Sequence, residues 1–463
     1  MISSTIIYAI IILTVLAFTA IGVLYSRGRF ESLDDFVTAR GTAGTKILST
    51  TFLASFLGVF ILFTPPEAGS IGGLPTIIGY ALGLASLYLA FMVLSPRIRK
   101  YLPKGSTLND FARKRYGKKM HLLVLLLSIF YMFVHLVAEL TAISLVAYEL
   151  AGIPLIFTAL FLGLGTMVYI AYGGLRASMF TDMIQMGFVL LLLLITTVGV
   201  VVYLGGLETI LTLSTENTPE LFDFTNFAGI EFGLTLGIAV FVANLFHQGY
   251  WQRVYSGKND GSIRKSLIFS IIIAVPVMLL TGFFGILSTG LGFGENPSVA
   301  LFSLVYAIFP RGLIILVFIL ALALVMSTVD TLLNGMVATF SANSRGILKN
   351  MDTPALLRFA RGLTLVIILP AAFIAARGYS VLYLFLVADL LCAGVVFPLF
   401  YGLFNKFVTE NTALVASLLG IASGIPFFMA DRLLISFTLP IVISGAVTLI
   451  GTFYGKKQLA KSP

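Results

Sequence analysis

Apolar stretches long enough to cross a hydrocarbon core as helices recur along the whole chain, separated by short polar or basic connections. Thirteen such segments begin near residues 5, 47, 75, 120, 154, 178, 230, 266, 298, 357, 379, 410 and 433. The pattern predicts an all-α polytopic membrane protein of about 13 transmembrane helices, with no room for a separate soluble domain. Two segments are interrupted. The second, TTFLASFLGVFILFTPPEAGSIGG, contains Pro65, Pro66, Gly58, Gly69, Gly72 and Gly73, and a continuous helix through them is unfavourable. The seventh, IAVFVANLFHQGYWQRVYSG, is interrupted by Asn244, His247, Gln248 and Gly249. Unwound backbone at membrane depth survives only where it lines a cavity or binds something. The breaks lie five spans apart, the spacing of two inverted five-helix repeats. The expected organisation is an extra first span at 5–25, repeats at 46–204 and 230–404, and two final spans at 410–455.

A polar stripe crosses one of the most apolar stretches, ALALVMSTVDTLLNGMVATFSANSRG (321–346). Ser327, Asp330, Thr331 and Asn334 fall on one helical face, with Thr328 beside it. That face must meet protein, water or an ion, because a bare hydroxyl or carboxylate in hydrocarbon costs several kcal/mol. The adjacent Ser327–Thr328 pair can offer two neutral oxygens to a hard cation, completed by carbonyls of an unwound helix. Alternatively, the hydroxyls bond back to their own helix.

Composition agrees with the pattern, since hydrophobic residues make up 59% of the chain and charged residues 11%. The net charge of +9 follows from topology rather than from nucleic-acid binding. With the N-terminus outside, 26 of the 29 Lys and Arg fall in cytoplasmic loops and only Arg311, Arg377 and Arg432 outside, as the positive-inside rule requires. This places the chain in the plasma membrane with a cytoplasmic C-terminus and the lipid bilayer as its partner. No feature points to an obligatory protein partner. The N-terminal stretch lacks a basic leader and a cleavage-like ending, so it reads as a retained span. The single Cys392 excludes an intramolecular disulfide framework. An enzyme is not indicated: the three His show no metal-ligand spacing, and no nucleophile is paired with a base.

Three stretches carry a resemblance. YGGLRASMFTDMIQMGFVLL, VANLFHQGYWQRVYSGKN and ALALVMSTVDTLLNG resemble, in order and spacing, the fifth, sixth and eighth core-helix signatures of the sodium:solute symporter family. The resemblance implies the LeuT-type fold and sodium-coupled import of a small organic solute by alternating access. It implies a sodium site made of the carbonyls of Ala54, Leu57 and Leu324 with the hydroxyls of Ser327 and Thr328. The family's Ala-Ser-x-x-Ser pattern lies on ASFLG, where its last Ser is Gly58. The family Asp of the fifth core helix is Asp182, which helps hold a second sodium or tunes coupling, or else forms a salt bridge with Arg176.

The expected solute site comprises Phe60, Ile61, His135, Glu139, Asn244, His247 and Asp389. Phe60 and Ile61 stand where the sodium/galactose symporters supply Glu and Gln to the sugar, so a hexose lacks partners here. An amino acid, amine or small organic acid fits better, and a zwitterion or cation best, given Glu139. Tyr131, His135 and Glu139 share one stripe at i, i+4 and i+8, and His135 with Glu139 can also pair across one turn. Intramembrane ionisable residues are functional candidates by default. Burial of Glu139, His135, Asp182 and Asp389 also leaves open a proton-coupled carrier. A transport-like sensor is the remaining alternative.

Overall fold

The computed structural model describes residues 2–26, 38–293, 296–343 and 353–459. Parts of the basic loops expected at 26–46 and 345–361, and the end of the basic tail, lie outside them. The described residues form α1 (Ser4–Ser26), α2 (Thr45–Phe56), α3 (Thr64–Tyr101), α4 (Leu108–Arg115), α5 (Lys118–Ala151), α6 (Leu155–Tyr203), α7 (Leu207–Asn217) and α8 (Phe227–Asn244). They continue with α9 (Gln248–Ser256), α10 (Asp260–Gly290), α11 (Ala300–Ile308), α12 (Arg311–Asn343), α13 (Thr353–Ala375), α14 (Val381–Tyr401), α15 (Glu410–Met429) and α16 (Leu433–Leu459).

Among the described residues helices cover all thirteen expected segments, but the fifth and sixth run together in the continuous α6, where the sequence pattern predicts a loop at 176. Among the described residues ten helices are individually long and apolar enough to span. The others are the broken second segment, Leu155–Met167 at the start of α6, and Gly362–Ala375 within α13. The ninth segment starts later than expected, because residues 297–308 form a separate short turn and α11. Phe309 is extended ahead of Pro310, as a residue before proline is driven to be, and α12 begins only at Arg311.

Large apolar side chains such as Leu13, Leu82, Leu122 and Leu191 are exposed on the outer helix faces, as expected of a multi-span membrane protein. Inside, helices approach through glycine. A Cβ on Gly83 of α3 would lie 2.3 Å from the Gly237 Cα of α8, and one on Gly285 of α10 would lie 1.8 Å from the Pro66 carbonyl oxygen. Small residues allow this backbone contact, the main source of helix adhesion where hydrophobic burial gives little. α3 thereby packs against both α8 and α10, while α12 packs against α5, α6 and α2. The two interrupted helices meet between these groups.

Candidate functional site

The first break is built by its own sequence. α2 stops at Phe56, Leu57 leaves helical geometry (φ −83°, ψ 73°), Gly58 is extended, and Val59–Leu62 form one 3-10 turn. Pro65 and Pro66 then sit in the first turn of α3, where their missing N–H groups cost nothing. α3 turns sharply at Gly73, whose φ of 68° suits only glycine. The final carbonyls of α2 lack helical donors. Leu53 O is met by the Leu57 N–H at 2.7 Å, and the Val59 N–H is taken by Glu139 Oε2 at 3.1 Å.

The second break falls at Leu245–His247. His247 Nδ1 accepts the Gly249 N–H at 3.1 Å and so caps α9. Trp251 donates to Leu245 O at 2.8 Å. Gln248 accepts the Leu108 N–H at 2.8 Å and donates to the Ser128 hydroxyl at 2.9 Å, tying the break to α4 and α5. Side chains thus satisfy backbone that lipid could not.

Between the breaks lies a cavity of about 30 Å³, lined by Phe60, His135, Glu139, Asn244, His247 and Asp389 among others. That is room for about one water molecule. Six of the seven expected solute residues are therefore brought together. Ile61 is not among the lining residues, although it is buried. Neighbours on a 3-10 turn point about 120° apart, so with Phe60 on the cavity Ile61 turns away. The walls also include Ser55, Tyr80, Tyr250, Thr328 and Phe385, none of which the sequence pattern had marked for the solute.

The stripe on α5 does share a face, but its members find separate partners. Tyr131 donates to Asn244 Oδ1 at 3.0 Å, His135 Nε2 lies 3.6 Å from Asp389 Oδ1, and Glu139 reaches Val59. The alternative His135–Glu139 pairing is replaced by these contacts. His135 Nε2 and Asp389 Oδ1 are buried and have no hydrogen-bond partner. Buried polar atoms of this kind call for a ligand or water.

On α12, Ser327 donates to Asp182 Oδ1 at 2.7 Å and Thr328 donates to Leu324 O at 3.2 Å. The back-bonding alternative thus describes Thr328, not Ser327. Asp182 does not depend on Arg176 for its ion pair: Arg253 Nη2 meets its Oδ2 at 2.8 Å, with both side chains fully buried. Arg253 also donates from Nε to the Thr51 hydroxyl at 2.7 Å, to Gly249 O at 3.1 Å and to the Thr331 hydroxyl at 2.9 Å. Thr51 donates in turn to Asp182 at 2.5 Å. The network joins α2, α6, α9 and α12, and beside it Asp330, on the same stripe, accepts from Ser178 of α6. The topology count had placed Arg253 in a cytoplasmic loop. Its position nine residues after Asn244, still on the broken helix, was the available signal.

Ala54, Leu57, Leu324, Ser327 and Thr328 are all buried where α2 ends against α12. A Cβ on Gly58 would stand 2.7 Å from Thr328 Oγ1, so that hydroxyl faces the unwound backbone. The donor set of hydroxyls and helix-end carbonyls could hold a hard cation.

Comparison with known proteins follows the same lines. The chain is 28% identical over 384 residues to the spermidine transporter DUR31 of Candida albicans (strain SC5314), spanning 82% of this chain and 71% of the relative. It is 27% identical over 400 residues to the sodium/glucose cotransporter of Vibrio parahaemolyticus, spanning 75% and 72%. Its fold is similar to that of a Na+-coupled sialic acid symporter in a substrate-bound outward-open state, at 18% identity, with a TM-score of 0.76 over 96% of this chain and 97% of that one. A nucleobase-cation-symport-1 transporter in a closed conformation aligns with a TM-score of 0.62 at 14% identity, over 92% and 96%. Residues 36–420 match the sodium:solute symporter family, and this chain is a member of that family, a transporter and not an enzyme.

Proposed function

We propose that this protein is a sodium-coupled symporter that imports a small organic solute bearing an amino group, by alternating access from the side of the N-terminus. The observation that carries the solute class is the buried Asp389 carboxylate, 3.6 Å from the His135 imidazole, in a cavity bounded by both helix breaks. A carboxylate there recognises an ammonium, and the rings of Phe60, Tyr250 and Phe385 supply faces for it. A hexose would find Phe60 in place of a hydrogen-bonding wall, at about 1 to 3 kcal/mol for each unsatisfied hydroxyl. Similarity to a protein named as a spermidine transporter supports an amine.

Alternating access follows from size. A space of about 30 Å³ admits no organic solute, so binding requires the walls to part. The T-shaped contact of Phe60 with Phe385, at 5.8 Å between ring centres, bridges the first break and α14. Sodium held between α2 and α12, at Ala54, Leu57, Leu324, Ser327 and Thr328, would favour the solute-binding arrangement, and the two affinities must then be reciprocal. Asp182 would support that cation through Ser327. A membrane potential of about 100 mV supplies about 2.3 kcal/mol per charge moved, and a tenfold sodium gradient about 1.4 kcal/mol.

The test is competition in proteoliposomes holding the purified chain, with labelled spermidine as probe. Amines and basic amino acids should displace it before hexoses do, and Asp389→Asn should abolish uptake while sodium binding persists. Tight sodium-dependent hexose uptake would overturn the assignment.

A further inference from the structure

The first break contains a convergence that the family pattern does not supply. A Cβ on Gly58 would stand 2.4 Å from Glu139 Oε1 as well as 2.7 Å from Thr328 Oγ1. Oxygens from α5 and α12 therefore close on the same side of one residue. That residue is where the family pattern has a serine. In this chain the serine side chain is missing and a carboxylate occupies its space. Oε2 of Glu139 is held by the Val59 N–H at 3.1 Å, which fixes the direction of Oε1. The carbonyl of Leu57 belongs to the peptide leading into Gly58, at the unwound end of α2. The Thr328 hydroxyl directs its proton at Leu324 O, so its lone pairs stay available.

Charge leads to the same place. Glu139 is 1% exposed, and the buried pair Arg253–Asp182 and the surface pair Arg99–Asp260 do not include it. A carboxyl so deeply buried stays ionised only if a counter-charge or donors hold it, and otherwise takes up a proton. Glu139, Thr328 and Asp389 line one small cavity. A sodium ion and an ammonium confined there would repel each other unless each had its own carboxylate.

We propose that Glu139 is a direct, charged ligand of the coupling cation, shared with Thr328 and the Leu57 carbonyl, while Asp389 serves the solute. The inference rests on the sodium-coupled reading and moves Glu139 from the solute to the ion.

Sodium binding can be measured without a solute, because the chain has a single tryptophan, Trp251, buried at the second break. Purified protein is titrated with sodium against potassium at constant ionic strength, reading Trp251 fluorescence. Glu139→Gln should weaken sodium binding by about 10- to 100-fold. Gly58→Ala, which keeps the carboxylate but displaces it, should do the same in a chain that still elutes as a folded species. Glu139→Ala combined with Gly58→Ser should recover much of the affinity by restoring a neutral oxygen. Unaltered sodium affinity in Glu139→Gln beside a responsive parent protein overturns the proposal and leaves sodium coupling intact. A parent that responds to protons and not to sodium overturns both.

Discussion

Replacing Asp182 with Asn keeps the side-chain shape and removes one charge. The consequence is set by Arg253, whose guanidinium is fully buried and lies 2.8 Å from the lost carboxylate. Breaking a buried pair by removing one partner costs about 3 to 5 kcal/mol, because the other charge stays uncompensated. Against a typical stability of about 5 to 15 kcal/mol this is a large loss, so folding suffers along with coupling. Arg253→Met should also be costly, since the Asp182 carboxylate is then buried without its cation and Thr51 and Thr331 lose a donor. The double variant Asp182→Asn with Arg253→Met should be more stable than the sum of the two losses predicts. Thermal unfolding in detergent gives the cycle, and sodium titration of the surviving protein gives coupling. The Ser327 hydroxyl, which donates to Asp182 at 2.7 Å, carries the effect to the proposed sodium site. An Asp182→Asn protein with parental melting temperature and parental sodium dependence would refute the reasoning.

Three further outcomes follow from the same geometry. Ser327→Ala with Thr328→Ala should raise the sodium concentration for half-maximal transport by at least about tenfold, and unchanged sodium dependence would show that the hydroxyls do not meet the ion. Gly83→Leu places a side chain where a Cβ alone would stand 2.3 Å from Gly237 Cα; melting should fall by about 1 to 3 kcal/mol in stability or more, with sodium affinity of the folded fraction unaltered. Glu67 accepts from Ser298 at 2.8 Å and from Ser380 at 3.3 Å, linking the start of α3 to the segment before α11 and to the cap of α14. Glu67→Ala should loosen that closure and speed reaction of the lone Cys392, one turn from Asp389, with a small thiol reagent; an unchanged rate would exclude such a latch.

Much of the fold could be read from local chemistry. Prolines and glycines at 58–73 and the polar run at 244–249 mark the two breaks, and each lies where the backbone leaves the helix. The stripe from Ser327 to Asn334 announced a protein-facing surface, and every member is buried. Partners distant in sequence were not legible. Asp182 and Arg253 are 71 residues apart, and an arginine on a broken helix looks like any loop cation until the helix is seen to continue into the core. Glu139 and Val59 are separated by 80 residues, so the match between a carboxylate and a missing serine at Gly58 emerges only from the packing of α5 on the break. Ile61 lies off the cavity wall for a simpler reason: consecutive residues of a helical turn point about 120° apart, so with Phe60 on the wall its neighbour turns away.

Sodium coupling is the central claim, and gradient-driven accumulation is its most direct measurement. Proteoliposomes containing the purified chain are given an inward sodium gradient with no pH difference, then the reverse, with labelled spermidine outside. The account predicts accumulation above equilibrium under the sodium gradient alone, collapse when a sodium ionophore is added, and no accumulation under the pH gradient. Accumulation driven by the pH gradient and indifferent to sodium would contradict it.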